Sequence, residues 1–245
     1  MEGEERERRC PACGAGLPAD RVGERCPACA RAPGGPPPIP FDAPRLAGFF
    51  PALWQTWRDS LFSPNTFFRR IPSAETAAWP LTYAALFTLV GMLAFVAQQP
   101  LLRGILAVLP LPVRLRGEFL QLTPEAEVLL VVLSPLLGLS LAVAAAAVLH
   151  GLLALVTGAR PEFRVTLRAV CYAFGTLVLL LVPLAGPALN LVAWLALWSI
   201  GLARAHAAAL WQGAFAVLLP AVAGCGLTIA LWLFVVAALL RGTPR

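Results

Sequence analysis

Lysine is missing from this chain of 245 residues; all nineteen basic side chains are arginine. With Ala, Gly, Pro and Arg abundant, that absence reads as codon bias rather than chemistry. Acidic residues are also scarce, thirteen in all with none after Glu162. Only 13% of residues are charged and 59% are hydrophobic, where a soluble domain carries roughly 25% charged residues. This excludes an ordinary soluble protein and predicts a polytopic membrane protein. No P-loop, HExxH or GxSxG pattern occurs, so no motif supplies an active site and the expectation is a protein that is not an enzyme. No cleavable signal is visible, because the first nine residues are mostly charged and no apolar run follows within the first thirty. The first span is therefore expected to act as its own insertion signal.

What the sequence does contain begins with two Cys-Pro-Ala-Cys pairs, Cys10/Cys13 and Cys26/Cys29, twelve residues apart. Four thiolates in two CxxC knuckles match the spacing of a tetrahedral structural zinc site. A redox pair would need a βαβ setting that thirty residues cannot provide. Four protein ligands leave no open position for water or substrate, and metal binding would supply most of the folding energy of so short a segment. Reduced thiols also require a reducing compartment, which places the N-terminus in the cytosol.

Composition divides the chain into a zinc ribbon over 1–30, a Pro/Gly-rich linker over 31–45, an interfacial segment over 46–72 and a membrane domain over 73–241. Five prolines between Pro33 and Pro40 predict a stiff, extended spacer that holds the ribbon off the membrane. Leu46, Phe49, Phe50, Leu53, Trp54, Trp57 and Leu61 then fall on one helical stripe. Such a stripe suits a helix lying along the headgroups, packing against the rest of the domain, or both. Phe67-Phe68-Arg69-Arg70 reads as an aromatic-basic anchor at the cytosolic interface.

Five spans are predicted, at about 79–98, 128–157, 169–184, 187–203 and 213–240. The uncharged stretch 169–203 is too long for one span of about 20 residues, and Pro183, Gly186 and Pro187 mark a hairpin within it. Residues 100–125 form the one long outer loop, with 101–111 more like an interfacial segment than a sixth span. With the N-terminus inside, the cytosolic side receives fourteen arginines and the opposite side five. The net charge of +6 is therefore read as juxtamembrane attraction to anionic lipid rather than nucleic-acid binding. No charged residue falls inside a predicted span, which leaves no proton relay or ion pathway. His150 and His206 sit at span ends and could bind an ion or sense pH, but cap carbonyls or meet headgroups more often. Asn190, Gln98 and Gln99 could tie helices together, while Cys171 and Cys225 read as small hydrophobes.

The stretch from about Leu46 to Val222 resembles the Yip family, five-span proteins named for interaction with Ypt/Rab GTPases, in its bacterial form with a zinc ribbon ahead of the domain. The resemblance is carried by WQTWRDSLFSPNTFFRRIP (54–72), GARPEFRVTLRAVCYAF (158–174), IGLARAHAAAL (200–210) and AVLLPAV (216–222), with Pro183, Gly186 and Trp194 at the hairpin. It implies a five-helix all-α bundle, a cytosolic N-terminus and no catalysis. The family's signature motifs between spans two and three have no match here, so GTPase binding is not carried over.

The preferred reading is a non-enzymatic scaffold or adaptor in the bacterial inner membrane. Its structural zinc, on Cys10, Cys13, Cys26 and Cys29, would fold a knob that presents a surface to a cytosolic or membrane protein partner. Membrane lipids are the second class of partner, and self-association is left open. A small-molecule or lipid transporter regulated by the ribbon, and a thiol or metal sensor, are the alternatives.

Overall fold

The computed structural model describes residues 8–9, 16–17, 37–42, 48–71, 76–108, 123–158 and 160–241. Near the N-terminus two short strands, β1 (Arg8–Arg9) and β2 (Gly16–Leu17), pair antiparallel with Arg9 opposite Gly16. All other regular structure among the described residues is helical. A single 3-10 turn covers Pro40–Asp42. It is followed by α1 (Phe49–Phe62), α2 (Pro64–Phe68), α3 (Ala78–Val108), α4 (Pro124–Thr157), α5 (Phe163–Ala173), α6 (Gly186–Ala205) and α7 (Leu210–Arg241). Directly after α5 the chain continues as a 3-10 segment, Phe174–Leu181. Five of these stretches are long and apolar enough to cross a membrane: Ala78–Leu102, Pro124–Thr157, Phe163–Leu181, Gly186–Ala205 and Leu210–Phe234.

Local sequence explains the boundaries. Thr123 caps α4 by accepting a hydrogen bond from the Ala126 amide at 3.3 Å. Pro124 fills the first turn, where its missing N–H costs nothing, and Glu125 and Glu127 complement the positive end of the dipole. The same helix stops at Gly158, whose φ of 64° is the left-handed cap that glycine adopts without penalty. Between the third and fourth spans the chain turns at Pro183-Leu184-Ala185, with Leu184 itself left-handed. That is the hairpin which Pro183, Gly186 and Pro187 predict.

The third span is the hub of the bundle. Residues 165–176 are buried without interruption, and 67% of its most apolar window is inside the protein, against 17% for α4 and 12% for α7. The contact between α3 and α4 is close because Gly138 has no side chain, and a Cβ there would come within 2.2 Å of Thr88 Oγ1. An eight-residue 3-10 run is long for that geometry. Two of its carbonyls are engaged from outside: Gly175 accepts from Trp57 Nε1 at 3.0 Å, and Leu180 accepts from the Gln98 amide. Gln98 thus ties two spans together.

Several expectations change here. The linker does not remain a free spacer through residue 45, since Ile39 and Phe41 are fully buried. Phe67 and Phe68 are not headgroup anchors but core residues, both fully buried. Phe67 lies edge-on to Tyr172 at 5.3 Å, and Phe68 packs where Gly201 leaves room for its ring. The third membrane-length helix begins at Phe163 and so contains Arg168, which breaks the rule of no charge inside a span. Beyond Gln98 the first span's helix continues through Pro100 to Val108.

The interfacial segment resolves into a two-faced helix. Its buried face is the small and polar row Ala52, Thr56 and Ser60, spaced four apart. Its aromatic side is mostly outside, with Phe50 77% and Trp54 60% exposed. Packing against the domain and presenting an apolar stripe outward therefore hold together, on different faces of one helix.

Candidate functional site

The chemistry of the described residues gathers at one end of the bundle, where α3, α5 and α7 begin and α4 and α6 finish. The linker is seated there by a buried ion pair. Phe41 packs edge-to-face against Phe49, Trp79 and Tyr83 at 5.4, 5.7 and 5.8 Å, and its amide donates to Thr56 Oγ1 at 3.0 Å. These contacts drive the next residue, Asp42, into the core. Its carboxylate takes a guanidinium N–H of Arg168 on one oxygen and the Tyr172 hydroxyl on the other. Arg168 also donates to the Thr76 carbonyl at 2.7 Å.

The Arg168 side chain is fully buried and that of Asp42 is 5% exposed. Desolvating two charges is expensive, and such a pair contributes net stability only when its hydrogen bonds are satisfied. Here a planar guanidinium reaches the carboxylate and a carbonyl at once, a task suited to arginine's fixed fork rather than to a point charge. The pair fixes one register, because only with Asp42 in place is the cost of burying Arg168 offset by a counter-charge. It works as a latch between residues 126 positions apart.

Beside the latch lies a second polar contact. His150 near the end of α4, Thr166 in α5 and His206 at the close of α6 form a chain through one hydroxyl. The distances are 3.1 Å from His150 Nδ1 to Thr166 Oγ1, and 2.9 Å from Thr166 Oγ1 to His206 Nε2. A hydroxyl can donate once and accept once along this chain, and so can link two imidazole rings. Burial first, and the neighbouring His150 second, push the His206 pKa down to about 4. The two histidines flagged by sequence are therefore brought together, joining three helix ends rather than meeting headgroups. A cleft of about 360 Å³ opens next to them, bordered by Thr157, Arg160, Glu162, His206 and Gln212. Arg204, near the end of α6, donates to Asn65 Oδ1 at 2.8 Å.

Among the described residues no group of three or more His, Cys, Asp or Glu side chains is placed to hold a metal. Cys10, Cys13, Cys26 and Cys29 lie outside the described residues. The β1–β2 pairing brings together the two flanks of the segment carrying Cys10 and Cys13. Cys171 is buried and Cys225 exposed, each in apolar sequence. Asp42, Arg168, Tyr172 and Thr166 are the functional residues that sequence reasoning passed over. A lone acidic residue in a proline-rich linker, and a lone arginine at the margin of an apolar run, were the available signals.

Compared with known proteins, the chain matches a family model described as Yip1 domain over residues 58–239. No curated protein and no solved structure matches it. The matched region contains Arg168 and Tyr172; Asp42 lies upstream of it.

Proposed function

Since this chain belongs to the Yip1 domain family, a family of multi-pass membrane proteins, we propose that it is a non-enzymatic scaffold carrying an N-terminal zinc ribbon as its recognition element. The observation that carries this reading is the latch. Asp42, outside the family-matched region, is buried against Arg168 and Tyr172 within it. A segment that only tethered a ribbon would not need a buried charge pair, whereas one that fixes where the ribbon emerges would. In this reading Cys10, Cys13, Cys26 and Cys29 hold one zinc ion whose role is to fold the ribbon, with no open position for chemistry.

The arginine-rich end, with Arg58, Arg69, Arg70, Arg160, Arg164 and Arg204, faces the cytosol of a bacterial cell in this reading, following both the positive-inside rule and the need for reduced thiols. Five spans put the C-terminus on the opposite side. The ribbon is then displayed a short distance above the headgroups to a protein partner.

The test uses the full chain, because an isolated 1–45 segment would lack the seat for Phe41 and Asp42. Purified protein should contain about one zinc per chain, and Cys10→Ser with Cys26→Ser should abolish it while leaving the thermal midpoint of the bundle unchanged. Chemical crosslinking in native membranes should capture a partner with the wild-type chain and not with the cysteine variant. Identical crosslinks from both proteins would defeat the adaptor reading.

A further inference from the structure

We propose that the groove beneath α1 is a seat for one acyl chain of an anionic phospholipid, with its headgroup held at Arg58. The groove encloses about 480 Å³ and is walled by Phe50, Trp54 and Trp57 of α1, Phe87 of α3, and Val178 and Leu181 of the 3-10 segment. Its lining is apolar. Two of its walls belong to membrane-length helices, so the medium that adjoins it is hydrocarbon.

Phe50 and Trp54 point outward from α1, 77% and 60% exposed. The face of α1 that holds the helix in place is Ala52, Thr56 and Ser60, and the Phe41 amide bonds to Thr56 from the same side. Trp57 is further fixed by its bond to the Gly175 carbonyl. Gly175 must be glycine for this approach, because a Cβ there would lie 2.3 Å from Tyr83 Oη and 3.1 Å from the Trp57 ring. With the helix so pinned, Trp54 stacks on Trp57 with centroids 4.8 Å apart and planes tilted by 32°, which makes a broad, rigid wall. A pinned aromatic wall over a concave apolar floor is a built surface rather than a loosely folded one.

The rim identifies the headgroup. Arg58 lies four residues after Trp54, on the same side of the helix, and its side chain is 58% exposed. Asp59 is shared between Arg58 at 3.2 Å and Arg70 at 3.7 Å. Two guanidiniums against one carboxylate leave the rim positive, and guanidinium donors match phosphate oxygens. Positive rim and apolar floor together describe a single amphiphile with a negative head.

The probe is a phospholipid with dibrominated acyl chains, added to the full-length protein in phosphatidylcholine nanodiscs while tryptophan fluorescence is recorded. Dibromo-phosphatidylglycerol should quench saturably at low mole fraction, and native mass spectrometry should retain one such lipid per chain. Val178→Phe, which fills the floor, should remove the saturable phase. Arg58→Gln, an exposed change that leaves the fold alone, should weaken it by about fivefold, equivalent to about 1 kcal/mol for one arginine at a membrane surface. Quenching that rises linearly with mole fraction and is the same in both variants would overturn the proposal. So would saturation that is equal for brominated phosphatidylcholine, since the rim would then play no part.

Discussion

The arginine-rich end of this helical bundle and the distal half of α7 are built on different principles. At the arginine-rich end, Asp42–Arg168–Tyr172, His150–Thr166–His206 and Arg204–Asn65 tie the linker, α2 and the ends of α4, α5 and α6 to one another. At the far end α7 runs on alone, with Val222, Leu227, Leu231, Trp232 and Phe234 all more than half exposed. Within the bundle glycines are placed where nothing else fits, as at Gly175; along the distal half of α7, Gly224 and Gly226 have no neighbour within 4 Å. A bilayer accepts apolar side chains without any partner, so the distal half of α7 needs no designed contacts. Buried ion pairs tolerate no such freedom, and where they occur the packing is specific.

The contrast can be broken most severely at the latch. Asp42→Ala leaves Arg168 buried without its counter-charge and should cost about 3–5 kcal/mol. Thermal denaturation followed by size-exclusion chromatography would show it as a large drop in midpoint. Asp42→Leu combined with Arg168→Met should cost less than either change alone; equal or additive losses would show that the pair is not coupled.

Glycine substitutions come next. Gly138→Ala and Gly175→Ala should each destabilise by about 1–3 kcal/mol through forced displacement of Thr88 and Tyr83. Gly224→Ala should be neutral or stabilising by up to about 1 kcal/mol, because the helix gains propensity and meets nothing. If all three behave alike, the distinction between the packed bundle and the distal half of α7 fails.

Tryptophan offers a milder comparison. Trp57→Phe removes the donor to the Gly175 carbonyl and should cost about 1 kcal/mol. Trp232→Phe, at a residue 62% exposed, should change stability by no more than about 0.5 kcal/mol.

A pH dependence tests the same arginine-rich end without a packing change. His206 has its folded pKa lowered from 6.5 to about 4, so between those values the unfolded chain binds more protons than the native one. Stability from this site is complete above pH 6.5 and declines as pH falls toward 4. His206→Gln should flatten the melting midpoint over that interval relative to wild type. An unchanged slope would show that another group carries it.

Sequence and structure agree where a property is local. Five apolar runs and the hairpin at Pro183 depend on residues a few positions apart, and both could be read directly. The amphipathic stripe from Leu46 to Leu61 was equally plain, but the face that packs was not. Rules learned from water put large apolar side chains inside; here Ala52, Thr56 and Ser60 go in and Phe50 and Trp54 stay out, because their surroundings are set by the bundle and the bilayer together. Five prolines drew attention to stiffness in the linker, while the two residues that matter for packing, Ile39 and Phe41, lay among them.

By itself the sequence determined that this is an all-α membrane protein of five spans, because hydropathy is additive over a short window and needs no partner. It also holds a four-cysteine pattern, Cys10, Cys13, Cys26 and Cys29, on which the proposed zinc ribbon rests. Only the tertiary structure decided that Asp42 belongs to Arg168, that two histidines share one threonine, and that an aromatic wall overhangs an apolar groove. Each of these joins residues far apart in the chain, and burial makes a lone charge or polar group intolerable until the fold supplies the other half.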